Sequence, residues 1–88
     1  MIRRRVIVHG RVQGVFFRDT IRRRAEELGV SGWAANRPDG ALEAAFEGEP
    51  KGVEALVELC HRGPSRAEVE RVDMSEEEPA GERGFRIL

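Results

Sequence analysis

The sequence has little that would tie it to a membrane, a disulfide framework or a structural zinc site. Among 88 residues there is one cysteine, Cys60, which excludes an internal disulfide and a four-cysteine zinc site. No apolar run is long enough to span a bilayer, and no apolar segment follows the N-terminal arginines as a secretory signal requires. The length of 88 residues predicts a single domain over residues 1–88. The absences predict a location in the reducing cytoplasm and no membrane partner.

Net charge is nearly absent too, but the charges are unevenly distributed. The chain has 15 basic and 16 acidic side chains, for a net charge of −1. Residues 1–24 carry eight arginines and one acid, Asp19, which gives +7, whereas residues 25–88 carry seven basic and fifteen acidic groups, which gives −8. Clustered cations commonly meet phosphate, nucleic acid or an acidic surface, so this segment indicates an anionic partner.

The hydrophobic pattern predicts seven elements in the order strand, helix, strand, strand, helix, strand, strand. A turn signal at Pro38-Asp39-Gly40 joins the second and third strands, and broken alternation predicts a bulge in the fourth. The expected strands are Arg3 to His9, Gly32 to Arg37, Ala41 to Glu47, Arg66 to Met74 and Gly84 to Leu88. The first helix is expected from Phe17 to Leu28, and the second between the entry at Gly48 and Pro50 and the stop at Gly63-Pro64.

This order predicts an α+β fold, a ferredoxin-like βαββαβ sandwich. We expect an antiparallel sheet with two helices on one face and an extra C-terminal edge strand. The third strand should turn Phe46 toward the helices and Glu47 away from them. The arginines of residues 3–5 and 22–24 are expected on solvated faces, the latter group paired with glutamates one helical turn further on.

The junction between the first strand and the first helix has the features of an anion site. Gly10 and Gly14 would let the loop curl so that several main-chain N–H groups point inward, beside the positive end of a helix. Arg18, at the start of that helix, adds a planar set of donors that suits two phosphate oxygens. The two strands of a βαβ unit run parallel, which brings Asn36 to the same edge. Its amide can accept from a water and donate to a developing oxyanion.

The groups missing from this loop limit its chemistry. It holds no serine, cysteine or histidine to act as a nucleophile, no carboxylate cluster for magnesium, and no Walker sequence after Gly14. The remaining chemistry is attack of water on an already activated phosphate, without a metal or cofactor. From composition alone, Arg18 would be one more solvated arginine and Asn36 an ordinary turn residue.

Two segments resemble the signatures of the acylphosphatase family: residues 8–18 (VHGRVQGVFFR) match the first throughout, and residues 32–36 (GWAAN) resemble the second. The resemblance implies a ferredoxin-like fold and metal-independent hydrolysis of the carboxyl–phosphate bond of a small acyl phosphate. It implies that Arg18 binds phosphate and that Asn36 positions the attacking water. The main-chain N–H groups of five residues would surround the phosphate, and we call them the phosphate loop: Gln13, Gly14, Val15, Phe16 and Phe17.

The chain departs from the family pattern in two places. Leu42 stands where valine is usual, and Leu88 where the family commonly has tyrosine. We expect both differences to affect packing rather than chemistry.

A nucleic-acid-binding module of the same fold is the main alternative. Such modules stack bases on aromatic side chains of two central strands, but Arg3 to His9 contains no aromatic residue. Ala41 to Glu47 contains only Phe46, which we expect in the core. We therefore expect no nucleic acid partner. For the oligomeric state, a monomer is the simplest expectation. A third possibility, a module that binds an acyl phosphate without turnover inside a larger protein, is disfavoured by the end of the chain at Leu88.

Overall fold

The order of the elements along the chain agrees with the sequence pattern. A computed structural model describes all 88 residues. The elements are β1 (Ile2–Arg11), α1 (Phe17–Leu28), β2 (Ser31–Asn36), β3 (Leu42–Gly48), α2 (Pro50–Arg62), β4 (Glu68–Glu77) and β5 (Phe85–Ile87). The predicted α+β, ferredoxin-like order is confirmed. Neither helix has the length and hydropathy needed to cross a bilayer.

The five strands form one sheet in the order β4-β1-β3-β2-β5. Strand β3 pairs antiparallel with both β1 and β2, so β1 and β2 run parallel to each other on either side of it, as predicted. The edge strand differs from the expected antiparallel sheet, because β5 pairs parallel with β2. The reason is topological: β4 runs opposite to β2, and the loop of residues 78–84 reverses the chain before it reaches the far edge.

The predicted apolar faces form the core between the helices and one face of the sheet. Helix α1 buries Phe17, Ile21 and Ala25, in the spacing that the sequence predicted. Gly29 ends this helix with a φ of 68°, and the N–H of Val30 donates to the carbonyl of Ala25 at 2.9 Å. Gly29 and this hydrogen bond therefore end α1 directly before β2 begins at Ser31. The largest fully buried side chains elsewhere are Phe46, Leu42, Leu56, Val6, Val8, Val12, Val53 and Cys60.

The bulge predicted in the fourth strand is present. Gly10 lies opposite Val69 and His9 lies opposite Arg71, which leaves Glu70 as the extra residue of β4. Strand β1 does not end at His9 as predicted but continues through Gly10 to Arg11. A side chain at Gly10 would place its Cβ 2.1 Å from the carbonyl oxygen of Glu68, so this close approach requires glycine.

The sheet face away from the helices carries ion pairs where the sequence predicted solvated arginines. Arg3 is only 5% exposed. Its guanidinium lies 3.0 Å from Glu47, 2.9 Å from Glu77 and 3.3 Å from Glu82. The expectation for Arg3 is therefore wrong, because carboxylates from β3, β4 and the following loop surround and pair with this cation. Outward orientation on a sheet did not mean exposure to solvent.

Candidate active site

A cavity of about 390 Å³ opens where β1 passes into α1, beside the end of β2. Five of the seven predicted site residues line it, namely Gly14, Phe16, Phe17, Arg18 and Asn36, together with Val12 and Asp19. The cavity is within the size range of small-ligand sites. The parallel arrangement of β1 and β2 is what brings the two segments of the site to one edge of the sheet.

The phosphate loop has a backbone conformation that leaves its N–H groups free. Gly14 has a φ of 72° and Phe16 a φ of 62°, so two residues in the left-handed backbone conformation flank Val15. None of the main-chain N–H groups from Gln13 to Phe16 donates a hydrogen bond to a main-chain carbonyl. Alternation of this kind turns successive N–H groups toward one point and makes an anion-binding concavity. Phe16 is notable because a bulky residue rarely has a positive φ.

Arg18 is the one arginine of residues 1–24 that pairs with no aspartate or glutamate side chain. Each of the other seven lies within 4.0 Å of a carboxylate: Arg3, Arg4, Arg5, Arg11, Arg22, Arg23 and Arg24. Arg18 instead makes one hydrogen bond, from Nη1 to the main-chain oxygen of Leu88 at 3.1 Å. A guanidinium has five N–H donors in a planar fork. The remaining donors of Arg18 are thus available to an anion in the cavity.

Asp19, next to Arg18, is neutralised by the two arginines that follow it. Its Oδ1 lies 2.7 Å from Arg22 Nη2 and its Oδ2 lies 3.0 Å from Arg23 Nε. The expected pairing of these arginines with glutamates one turn further on is wrong, since Asp19 is the closer partner on the same helix face. Because both oxygens of Asp19 are paired with other cations, this carboxylate does not compete for Arg18.

Asn36 presents an unsatisfied acceptor at the cavity. Its Oδ1 atom is buried and accepts no hydrogen bond from the protein. Buried polar atoms are nearly always paired, so this oxygen is suited to a hydrogen bond from a water or ligand in the cavity. The amide sits at the last residue of β2, where β2 pairs with Leu42 of β3 before the hairpin turn.

The other two predicted residues do not line the cavity. Val15 is 8% exposed and belongs to the hydrophobic core. The side chain of Gln13 leaves the phosphate loop and donates from Nε2 to the carbonyls of Arg37 at 2.8 Å and Ala41 at 3.1 Å. Both residues contribute their main-chain N–H groups to the loop, and only their side chains point elsewhere.

Sequence reasoning missed three groups at the site. Val12 and Asp19 line the cavity, and the main-chain oxygen of Leu88 accepts from Arg18. Asp19 carried a signal, because it directly follows Arg18. A main-chain oxygen carries none, since every residue type has one. The side chain of Leu88 is 59% exposed, so having leucine here instead of the family's usual tyrosine changes the packing little.

The single cysteine lies outside the site. Cys60 is fully buried in α2, and burial raises the pKa of its thiol to about 12. It therefore stays a neutral thiol at physiological pH. No group of three or more histidine, cysteine or acidic side chains is placed to hold a metal ion.

Comparison with known proteins agrees with the geometry of this site. The sequence profile of the acylphosphatase family matches residues 4–87. An acylphosphatase of Rubrobacter xylanophilus is 62% identical over 85 residues, covering 94% of this chain and 76% of that protein. One from Roseiflexus is 53% identical over 89 residues, covering 100% and 96%. The crystal structure of the Bacillus subtilis acylphosphatase superposes with a TM-score of 0.94 at 34% identity, covering 100% of this chain and 99% of that one.

Proposed function

Because this chain belongs to the acylphosphatase family and hydrolyses the carboxyl–phosphate bond of acyl phosphates, we propose that Arg18 and the phosphate loop bind the phosphoryl group and that Asn36 orients the attacking water. One observation carries this assignment. The only arginine of residues 1–24 that pairs with no acidic side chain, Arg18, and the unsatisfied Oδ1 of Asn36 line the same cavity.

The phosphoryl group is held by charge and by oriented dipoles. Main-chain N–H groups of residues 13–17 surround its oxygens, and the start of α1 adds the positive end of a helix dipole. Arg18 contributes a charge-assisted contact with the oxygens that gain charge as the bond to the acyl oxygen breaks. These groups are in place before the substrate binds, so little reorganisation accompanies the reaction.

The reaction needs little more than a well-placed water. A water that donates to Asn36 Oδ1 attacks phosphorus, the bond between phosphorus and the acyl oxygen breaks, and the products are a carboxylate and dihydrogen phosphate. Both protons of the water remain on the phosphate product. The leaving carboxylate needs no proton at neutral pH, since the pKa of a carboxylic acid is near 4. A general acid and a protein nucleophile are therefore unnecessary, and we propose that no metal takes part.

The test is hydrolysis of acetyl phosphate in excess chelator by the wild type and two variants. Arg18→Ala and Asn36→Ala should each lose about a hundredfold in kcat/KM, on the order of 3 kcal/mol, as for removal of one oxyanion donor. Arg24→Ala is the matched control, because Arg24 is an exposed arginine of the same helix that pairs with Glu27. Near wild-type turnover by either active-site variant would refute its role, and loss of wild-type activity in chelator would refute the metal-free mechanism.

We further propose that residues 1–88 act as one domain, as a cytoplasmic monomer with no nucleic acid partner. The outward sheet face supports the absence of nucleic acid binding, because its arginines are paired with glutamates rather than free for phosphates. Light scattering after size exclusion would test the monomeric state. A gel shift with RNA at low salt would test the absence of nucleic acid binding.

A further inference from the structure

The side chain of Gln13 joins the phosphate loop to the hairpin turn that follows Asn36. Nε2 donates to the carbonyl of Arg37 at 2.8 Å and to that of Ala41 at 3.1 Å. Those two carbonyls also close the turn itself, since Arg37 accepts from the N–H of Gly40 at 3.1 Å and Ala41 accepts from that of Arg37 at 2.8 Å. A carbonyl oxygen has two lone pairs, so Gln13 binds the second acceptor position of each.

This link spans the two halves of the site. Arg18 and the phosphate loop lie on the β1–α1 side, whereas Asn36 lies at the end of β2, beside the turn that Gln13 holds. In the proposed reaction, phosphorus is fixed by the first half and the attacking water by the second. A misplacement of about 1 Å between reacting groups can lower the rate a hundredfold.

We propose that the Gln13 side chain is a positioning residue, which sets the distance between Asn36 and the phosphate loop and so acts on the attacking water through Asn36. This proposal rests on the proposed function and adds a role that is separate from the Gln13 main-chain N–H. It predicts an effect on kcat with little effect on phosphate binding, because the loop N–H groups and Arg18 remain in place.

Asp39 provides a matched control for a purely structural role. Its Oδ1 accepts from the N–H of Ala41 at 3.0 Å, and its Oδ2 accepts from Arg37 at 2.9 Å. Asp39 therefore supports the same turn as Gln13 but makes no hydrogen bond to the phosphate loop. If Gln13 only stabilised the turn, Asp39→Ala would reproduce the loss of activity.

The experiment measures kcat for acetyl phosphate and inhibition by inorganic phosphate in Gln13→Ala and Gln13→Glu. The glutamate has nearly the same shape, but when ionised it cannot donate to two carbonyl oxygens. Both variants should lose about tenfold or more in kcat, while the Ki of phosphate changes by less than about threefold. Asp39→Ala should keep kcat within about threefold of the wild type. Full kcat in Gln13→Glu, or an equal loss in Asp39→Ala, would overturn the proposal.

A double-mutant cycle with Asn36→Ala distinguishes the positioning role of Gln13 from the proposed role of Asn36 itself. Since Gln13 acts through Asn36, adding Gln13→Ala to Asn36→Ala should lower kcat by no more than about twofold further. Full multiplication of the two losses would refute action through Asn36. Failure of the proposed function gives a different result, because Asn36→Ala alone would then retain wild-type kcat whatever Gln13 does.

Discussion

Arg18 Nη1 donates a hydrogen bond of 3.1 Å to the main-chain oxygen of Leu88, which lies 70 positions further along the chain. Leu88 is itself fixed, because its N–H donates to the carbonyl of Ala34 in β2 at 2.9 Å. Arg18, the arginine that we propose binds phosphate, is therefore oriented by a residue that β2 holds in place. Fixing a long side chain before binding reduces the conformational entropy lost when the substrate arrives.

Removal of Leu88 should weaken phosphate binding, whereas changing its side chain should not. In a chain that lacks Leu88, Arg18 loses its only protein acceptor, and we expect the Ki of inorganic phosphate to rise by about three- to tenfold. Leu88→Ala is the matched control and should stay within about twofold of the wild type, because the main-chain oxygen remains. Equal Ki values for the deletion and the wild type would show that this hydrogen bond does not orient Arg18.

Glu47, like Arg18, has hydrogen-bond partners that lie far from it in the sequence. Its carboxylate accepts from the N–H groups of Ala80, Gly81 and Glu82 and pairs with Arg3 at 3.0 Å. The hydrogen bond from Ala80, followed by that from Arg3, lowers the pKa of Glu47 below its usual range. This carboxylate therefore holds the loop that leads from β4 to β5.

Glu47→Gln should destabilise the protein at neutral pH, and the difference should shrink in acid. Arg3 would keep Glu77 and Glu82 but lose its most buried counter-ion, which we expect to lower the free energy of unfolding by about 1–3 kcal/mol. Because the pKa of Glu47 is lower in the folded state, its stabilisation is complete above the ordinary pKa of about 4.3 and is lost as the pH falls through the lowered value. Urea unfolding of both proteins between pH 7 and pH 3 would measure this.

Glu76→Gln is the control for that measurement. The side chain of Glu76 is 75% exposed and lies 3.9 Å from Arg4. An exposed pair of this kind contributes about 0–1 kcal/mol, so this variant should unfold close to the wild type at every pH. A constant difference between Glu47→Gln and the wild type across the pH range would contradict the lowered pKa.

Phe16 should be replaceable with a gain in stability. Its φ of 62° is unfavourable for a bulky residue, and its side chain is 72% exposed, so little burial would be lost. Asparagine tolerates the left-handed region, and we expect Phe16→Asn to raise the free energy of unfolding by about 0.5–1 kcal/mol. Phe16→Val should lower it by about 1 kcal/mol, because a β-branched residue tolerates this conformation least. A ranking of valine above asparagine in urea unfolding would contradict this account.

Local patterns in the sequence were sufficient for the elements and most of their faces. The spacing of Phe17, Ile21 and Ala25 predicted the buried side of α1, and the broken alternation of β4 predicted its bulge. Both features depend on neighbouring residues in the chain, whose geometry is fixed by the period of a helix or strand. Arg18 and Asn36 could be predicted to lie together because their motif is long and the βαβ rule places them at one edge, and both line the same cavity.

The partners of charged side chains could not be predicted in this way. Arg3 looked solvated, yet it is buried by carboxylates that lie 44, 74 and 79 positions away. The same holds for the direction of β5, which depends on how the loop of residues 78–84 crosses the end of the sheet. Sequence separation says nothing about such contacts, because they form only when distant strands are brought side by side.

The sequence by itself determined the βαββαβ order, the phosphate loop and the identity of the two residues that we propose for the reaction. Only the tertiary structure decided which arginine has no acidic side chain as a partner. Seven of the eight N-terminal arginines pair with aspartate or glutamate side chains, several of them from β3 and β4, and Arg18 alone pairs with none. The physical reason is that a positive charge on a segment is a sum over residues, whereas binding depends on which of those charges remains unpaired after folding.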